Sequence, residues 1–183
     1  MLGSVLWVLW TVGQLQGFGG WSVPGSVAYD SYEFFNRLLP FVLLPVVVGF
    51  VGLHVVQKST YGGWGMASFV TVLVGFLLVV AGSVGEFWFF SDQPYGMPNG
   101  REASWTLFLL GHPVLGLGML LFGIATVQAK VFPRNAAVTF AVLGTCVIVP
   151  FVGALAFALP FAWMGYLLWS GKYEKGQHTA RVR

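Results

Sequence analysis

The chain has 183 residues, of which 57% are apolar and only 8% carry a charge, and its formal net charge is +3. Ordinary soluble domains are about one quarter charged, so this composition excludes disordered tails, disulfide scaffolds and almost every soluble enzyme fold. Nine basic residues are too few to coat a nucleic acid, and no nucleic-acid partner is expected. We therefore predict an integral membrane protein whose surroundings are the lipid bilayer.

Apolar runs of about 20 residues, the length that crosses a bilayer, predict the spans. The first run covers residues 2–20. A signal peptide would carry Lys or Arg before such a run. None precedes this one, so we interpret it as a retained span. Three further runs follow at residues 36–56, 66–90 and 105–127.

The last apolar stretch, residues 136–170, is ambiguous. As a single helix it would be about 50 Å long, which is too long for one span. Three groups of basic residues follow apolar runs: Lys58, Lys130 with Arg134, and the basic C-terminal residues. All three groups lie on the cytoplasmic side only if an even number of spans separates each group from the next. This favours two spans joined by a turn within residues 151–156, with Pro150 and Gly153 as breakers.

We therefore predict an all-α membrane helix bundle with six transmembrane helices, five being the alternative. Residues 1–171 form one transmembrane bundle, and residues 172–183 form a basic polar tail in the cytoplasm. Both termini are then cytoplasmic, and the 91–104 loop lies outside. In that loop Asn99 and Glu102 have the spacing of a helix-capping box.

Small residues at helical spacing predict the faces on which helices pack. Gly75 and Gly82 share one face of the third span, and Gly116 and Gly123 share one face of the fourth. Such stripes let helix backbones approach closely, so they indicate a compact bundle.

Only three ionisable residues lie within the spans: His54, Glu86 and His112. Such residues are costly in hydrocarbon and are the first functional candidates. Glu86 and His112 lie on the two glycine faces near the outer ends of neighbouring spans, so we expect a hydrogen bond or ion pair between them. Pro113 should kink the fourth span beside His112 and open space for a ligand.

Glu86 and His112 are therefore the predicted cofactor-binding residues, the alternative being a pair that only joins two helices. His54, at the cytoplasmic end of its span, is interpreted as an interfacial structural residue. The sequence contains no phosphate-binding loop, no zinc-protease motif and no nucleophile elbow. No catalytic residue and no metal site are predicted, and the composition favours a protein that is not an enzyme.

Three segments carry a resemblance: residues 84–90 (VGEFWFF), 118–134 (GMLLFGIATVQAKVFPR) and 164–169 (MGYLLW). Together they resemble small multi-span bacterial membrane proteins of unassigned function. The resemblance implies a location in the bacterial inner membrane. It implies neither an activity nor any site residue.

Three functions are compatible with these features. The first is a non-catalytic subunit or scaffold that packs against other membrane proteins or lipids. The second is a binding protein for an apolar cofactor, whether quinone, haem, carotenoid or chlorophyll, held near the outer face. The third is a small transporter or channel, against which the purely apolar centres of the spans argue.

Overall fold

The computed structural model describes residues 2–16, 26–149 and 154–173. This part of the chain is helical and contains no strand, so the predicted all-α bundle is confirmed. The helices are α1 (Leu2–Gln16), α2 (Val27–Gln57), α3 (Gly62–Val84), α4 (Gly100–Ala129), α5 (Arg134–Thr145) and α6 (Ala154–Trp169). A π-helical turn, Gly85–Phe89, continues α3, and a 3-10 turn, Cys146–Ile148, continues α5.

Two helices begin at capping residues, as local chemistry dictates. The Ser26 hydroxyl accepts from the backbone N–H of Tyr29, so α2 starts about nine residues before the apolar run on which its span was predicted. The Asn99 side chain accepts from the N–H groups of Arg101 and Glu102 and starts α4. The Glu102 carboxylate accepts from the N–H of Gly96, so the predicted capping box is formed in its Asn99 half.

Pro40 shapes the contact between α2 and α3. Proline has no N–H, so the carbonyl of Asn36, four residues earlier, loses its helical donor. The Ser83 hydroxyl of α3 donates to that carbonyl at 3.0 Å. The sequence suggested no polar partner for this proline, whereas the structure supplies one from the neighbouring helix.

The six helices form a closed ring in which each packs against the next in sequence. Thus α1 packs on α2, α2 on α3, and so on to α5 on α6, and α6 closes the ring against α1. Helix α6 also contacts α2 across the interior. The contact between α3 and α4 is the most extensive.

The interior of the ring is filled with aromatic side chains. Six buried phenylalanines form a closed cycle of ring contacts with centroid separations of 4.6–6.4 Å. We call this set the phenylalanine cycle, and its members are Phe50, Phe76, Phe122, Phe140, Phe157 and Phe161. Trp7 of α1 packs on Phe157 at 5.2 Å, so all six helices contribute to this core.

Among the described residues, three helical segments are long and apolar enough to cross a membrane: Val27–Gln57, Gly62–Phe89 and Gly100–Ala129. The other apolar helices are shorter; α1 has 15 residues and α6 has 16. The ambiguous stretch 136–170 contains two helices, as predicted, with α5 and its 3-10 turn ending at Ile148. The predicted breakers Pro150 and Gly153 lie outside the described residues, as do residues 17–20 and all but two of the predicted tail.

Candidate functional site

The bundle has two ends that matter for function. At one end, which we call the loop end, residues 90–99 connect α3 to α4. At the other, which we call the turn end, residues 58–61 connect α2 to α3. Glu86 and His54, two of the predicted candidates, lie at opposite ends.

Glu86 lies at the loop end, in the π-helical turn that finishes α3. In this turn the N–H of Phe90 donates to the carbonyl of Gly85 at 2.9 Å, five residues back, and Arg37 of α2 donates from Nε to the carbonyl of Phe87 at 3.0 Å. π-Helical turns insert one extra residue into a helix and are frequent at functional sites. The Glu86 side chain is completely buried.

Glu86 is held by a residue of the connecting loop. The Tyr95 hydroxyl donates to Glu86 Oε1 at 2.5 Å, and a further side-chain hydrogen bond joins Tyr95 to Tyr32 of α2. The second carboxyl oxygen, Oε2, is buried and has no hydrogen-bond partner. Burial, reinforced by the hydrogen bond to Glu86 and its charge, raises the pKa of Tyr95.

Arg101, in the first turn of α4, completes the site. Its guanidinium lies over the Tyr95 ring, 3.9 Å from the centroid. Nη1 donates to the carbonyls of Ser91 at 2.8 Å and Gln93 at 3.0 Å, while Nη2 donates to the Tyr29 hydroxyl at 3.2 Å. The side chain is only 4% exposed, and its Nε has no partner.

We call Tyr29, Tyr32, Glu86, Tyr95 and Arg101 the loop-end cluster. Sequence reasoning selected neither Arg101 nor Tyr95. One signal was available: a cation in the first turn of a helix opposes the helix dipole, so it needs compensating acceptors nearby. The carbonyls of Ser91 and Gln93 are those acceptors.

His112 does not bond to Glu86. The ring donates from Nδ1 to the carbonyl of Phe108, one turn earlier, at 2.8 Å, and this is its one hydrogen bond within the described part of the chain. The predicted hydrogen bond or ion pair between Glu86 and His112 is therefore not formed. The Nδ1 donation leaves the His112 Nε2 lone pair available.

The reason lies in α4, which has two glycine faces rather than one. A Cβ on Gly111 or Gly118 would meet Val79 or Val72 of α3. A Cβ on Gly116 or Gly123 would instead meet Ile148 or Ala141, on the α5 side. His112 shares the second face by sequence spacing, whereas the α3 face carrying Gly75 and Gly82 does pack against α4 as predicted.

The turn end carries a second group of buried polar residues. His54 is hydrogen-bonded through Nδ1 to the Tyr61 hydroxyl and stacks on Phe69, with ring centroids 3.9 Å apart. Gln57 donates from Nε2 to the Thr126 hydroxyl at 3.1 Å and joins α2 to α4. Burial raises the pKa of Tyr61 to about 12. These contacts fit the structural interpretation of His54.

In chemical terms, the loop-end cluster combines a buried carboxyl group, two phenols bonded in series and a guanidinium. Such a group can hold or move a proton. Within the described residues, no three His, Cys, Asp or Glu side chains gather closely enough to hold a metal ion. No protein-family model, curated protein or solved structure matches this chain.

Proposed function

We propose that the chain is a six-span membrane protein that acts as a non-catalytic subunit or scaffold, packing against other membrane proteins or lipids. The observation that carries this proposal is the phenylalanine cycle. A protein that conducts a polar substrate needs polar groups or water along its axis, whereas here the axis is filled with rings.

The cycle lies between the two polar ends of the bundle. Its members are at most 7% exposed, and rings from α2 and α4 meet at 4.6 Å between Phe50 and Phe122. Polar side chains gather at the loop end, around Glu86, and at the turn end, around Gln57. This distribution supports a static bundle over a transporter or channel.

The six-span topology is supported by the helix ring. Helices α1, α5 and α6 are shorter than the about 20 residues of an average span, yet each contacts a longer helix: α1 and α6 contact α2, and α5 contacts α4. The positive-inside rule then places Lys58, Lys130 and Arg134 in the cytoplasm, with both termini there and the loop end outside. A C-terminal tag accessible only from outside the cell would contradict this topology.

The surface of the bundle is suited to apolar surroundings. Large apolar side chains are widely exposed along the helices, among them Phe41 at 61%, Leu77 at 67% and Leu110 at 54%. The most exposed aromatic residues lie near the helix ends, with Phe89 at 72% and Trp169 at 80%. Aromatic side chains at both ends are typical of the membrane interfaces.

Purification from native membranes in mild detergent tests the function. We expect stoichiometric membrane partners or bound lipid, identified by mass spectrometry after cross-linking in the membrane. To test whether the phenylalanine cycle blocks conduction, the wild-type protein and Phe122→Ala are each reconstituted into vesicles and assayed for ion and solute flux. Substrate-dependent flux through the wild-type protein alone would refute the scaffold proposal.

A second function is favoured by one observation, the hydrogen bond of His112. An imidazole whose Nδ1 donates to a backbone carbonyl presents an unprotonated Nε2, which is the form that ligates haem or chlorophyll. The visible spectrum of the purified protein tests this. A pigment band lost in His112→Ala and kept in His54→Ala would support a cofactor site at His112; a colourless wild-type protein would refute it.

A further inference from the structure

Glu86 has an unusual combination of surroundings, even for a buried acid. Its side chain is fully buried, one oxygen accepts from Tyr95, and the other has no partner. An ionised carboxylate in an apolar site is stabilised only when its oxygens are hydrogen-bonded or a cation lies close. The unpartnered Oε2 therefore favours the neutral acid, in which that atom becomes an uncharged carbonyl oxygen.

Arg101 has the opposite effect. Its guanidinium is buried and lies on the face of the same Tyr95 ring whose hydroxyl bonds Glu86. The one salt bridge among the described residues joins Arg37 to Glu33 elsewhere, so Arg101 has no carboxylate in direct contact. Glu86 compensates the Arg101 charge through the intervening phenol, and protonating Glu86 would leave Arg101 as an uncompensated buried cation.

The remaining charged and titratable groups around Glu86 come from each neighbouring element. Tyr32 of α2 and Glu102 of α4 both act electrostatically within this cluster, and Arg37 of α2 bonds the carbonyl of Phe87 beside it. The unpartnered Oε2 disfavours a charge on Glu86, while the Tyr95 hydroxyl and Arg101 on the same Tyr95 ring favour one. The two forms are therefore opposed by groups within one small cluster.

A route for protons is also present. Tyr95 is 37% exposed, although its hydroxyl bonds the fully buried Glu86. Tyr95 is therefore the residue that joins the exposed surface of the loop to the buried carboxyl group. Tyr95 can pass its hydroxyl proton to Glu86 Oε1 while its phenol oxygen takes a proton from a hydronium ion at the loop surface, so that one proton is bound and one water molecule is left.

We propose that Glu86 is a reversible proton-binding site, filled through Tyr95, and that its neutral form keeps the 90–99 loop and the start of α4 packed on the end of α3. Loss of the proton leaves a buried carboxylate whose Oε2 has no hydrogen-bond partner, and this charge is better solvated when the loop moves away from α3. Uptake of a proton removes this cost. The loop end is thus tight at low pH and loosens as the pH rises through the titration of Glu86.

Infrared difference spectroscopy of the full chain in lipid nanodiscs tests the proton site. Spectra at about pH 5 and about pH 9, which span the range in which a perturbed carboxyl group titrates, should differ by a protonated-carboxyl C=O band. Glu86→Gln should lose this band, and Glu102→Gln, the matched control in the first turn of α4, should keep it. A band that persists in Glu86→Gln, or its absence from the wild type, would overturn the proposal.

Hydrogen exchange of residues 90–99 tests the packing of the loop. Corrected for the chemical pH dependence of exchange, the wild-type loop should exchange several-fold faster at the higher pH, whereas Glu86→Gln, which cannot ionise, should be slow at both. If Glu86→Gln does not fold, Tyr95→Phe serves as the second variant, because it retains the carboxyl group. Tyr95→Phe should shift both the frequency and the titration midpoint of the C=O band. Equal protection of the wild-type loop at both pH values, or an unshifted band in Tyr95→Phe, contradicts the proposal.

Discussion

The close approach of α3 and α4 at Gly82 makes a quantitative prediction. A Cβ built on Gly82 would lie 2.4 Å from the backbone nitrogen of Phe108 and 2.7 Å from its Cα. Because the obstacle is backbone, no side-chain rotation can relieve it. Gly82→Ala therefore requires the two helices to separate.

The separation and its cost follow from these distances. The added carbon falls about 1 Å short of ordinary van der Waals contact with the Phe108 nitrogen. Overpacking a well-packed interface by one methyl group costs about 1–3 kcal/mol. Alanine also gains up to about 1 kcal/mol of helix propensity over glycine, so the variant needs a control that shares this gain.

Gly52 provides that control, because a Cβ at this position of α2 meets nothing within 4 Å. We expect the free energy of unfolding of Gly82→Ala to be about 1–3 kcal/mol below that of Gly52→Ala. Gly75→Ala should behave like Gly82→Ala, since its Cβ would lie 2.5 Å from the Cα of Leu115. Reversible unfolding in mixed micelles measures the difference, and equal stability of the Gly82 and Gly52 variants would refute the close-packing argument.

Three further predictions concern the core and the turn end. Ser83→Ala removes the donor to the Asn36 carbonyl and should lower the free energy of unfolding by about 1–3 kcal/mol, the cost of an unpaired buried group; wild-type stability would show that this bond contributes nothing. Phe122→Ala should lower the free energy of unfolding by about 3–5 kcal/mol, because it leaves a cavity in the phenylalanine cycle. Phe41 is 61% exposed, so Phe41→Ala should lower it far less. Similar losses in the two variants would contradict the assigned core. Since the pKa of Tyr61 is raised from 10.0 to about 12, its contribution to stability is present below pH 10 and lost as the pH rises through about 12; Tyr61→Phe should lack this loss in unfolding measured against pH.

Much of the fold could be predicted from sequence because hydropathy and helical spacing are local signals. The six helices and the α3 face formed by Gly75 and Gly82 follow from such signals. Helix ends were less accessible: α2 continues outward past Asn36 to the cap at Ser26, through polar residues that hydropathy does not count. A helix can extend beyond the apolar run that marks its span.

The candidate site was predictable only in part, because it depends on which helix each face meets. Glu86 was identified correctly as a buried acid, but its partner, Tyr95, lies in the connecting loop. The pairing with His112 was wrong because α4 offers glycine faces to both α3 and α5, and spacing alone does not assign them. Arg101 reaches Tyr29, which is 72 residues away in the chain, and no local pattern predicts such a contact.

The order of helices in the ring has a consequence for how the protein is made. Every helix from α2 to α6 packs against the one synthesised just before it, so each can dock as it leaves the ribosome. Contacts between consecutive elements also favour fast folding. The contact of α6 with α1 and α2 is the exception, because it joins the two ends of the chain. Completion of the bundle therefore waits for the final helix, and a nascent chain that stops after α5 exposes one side of α1 to the membrane.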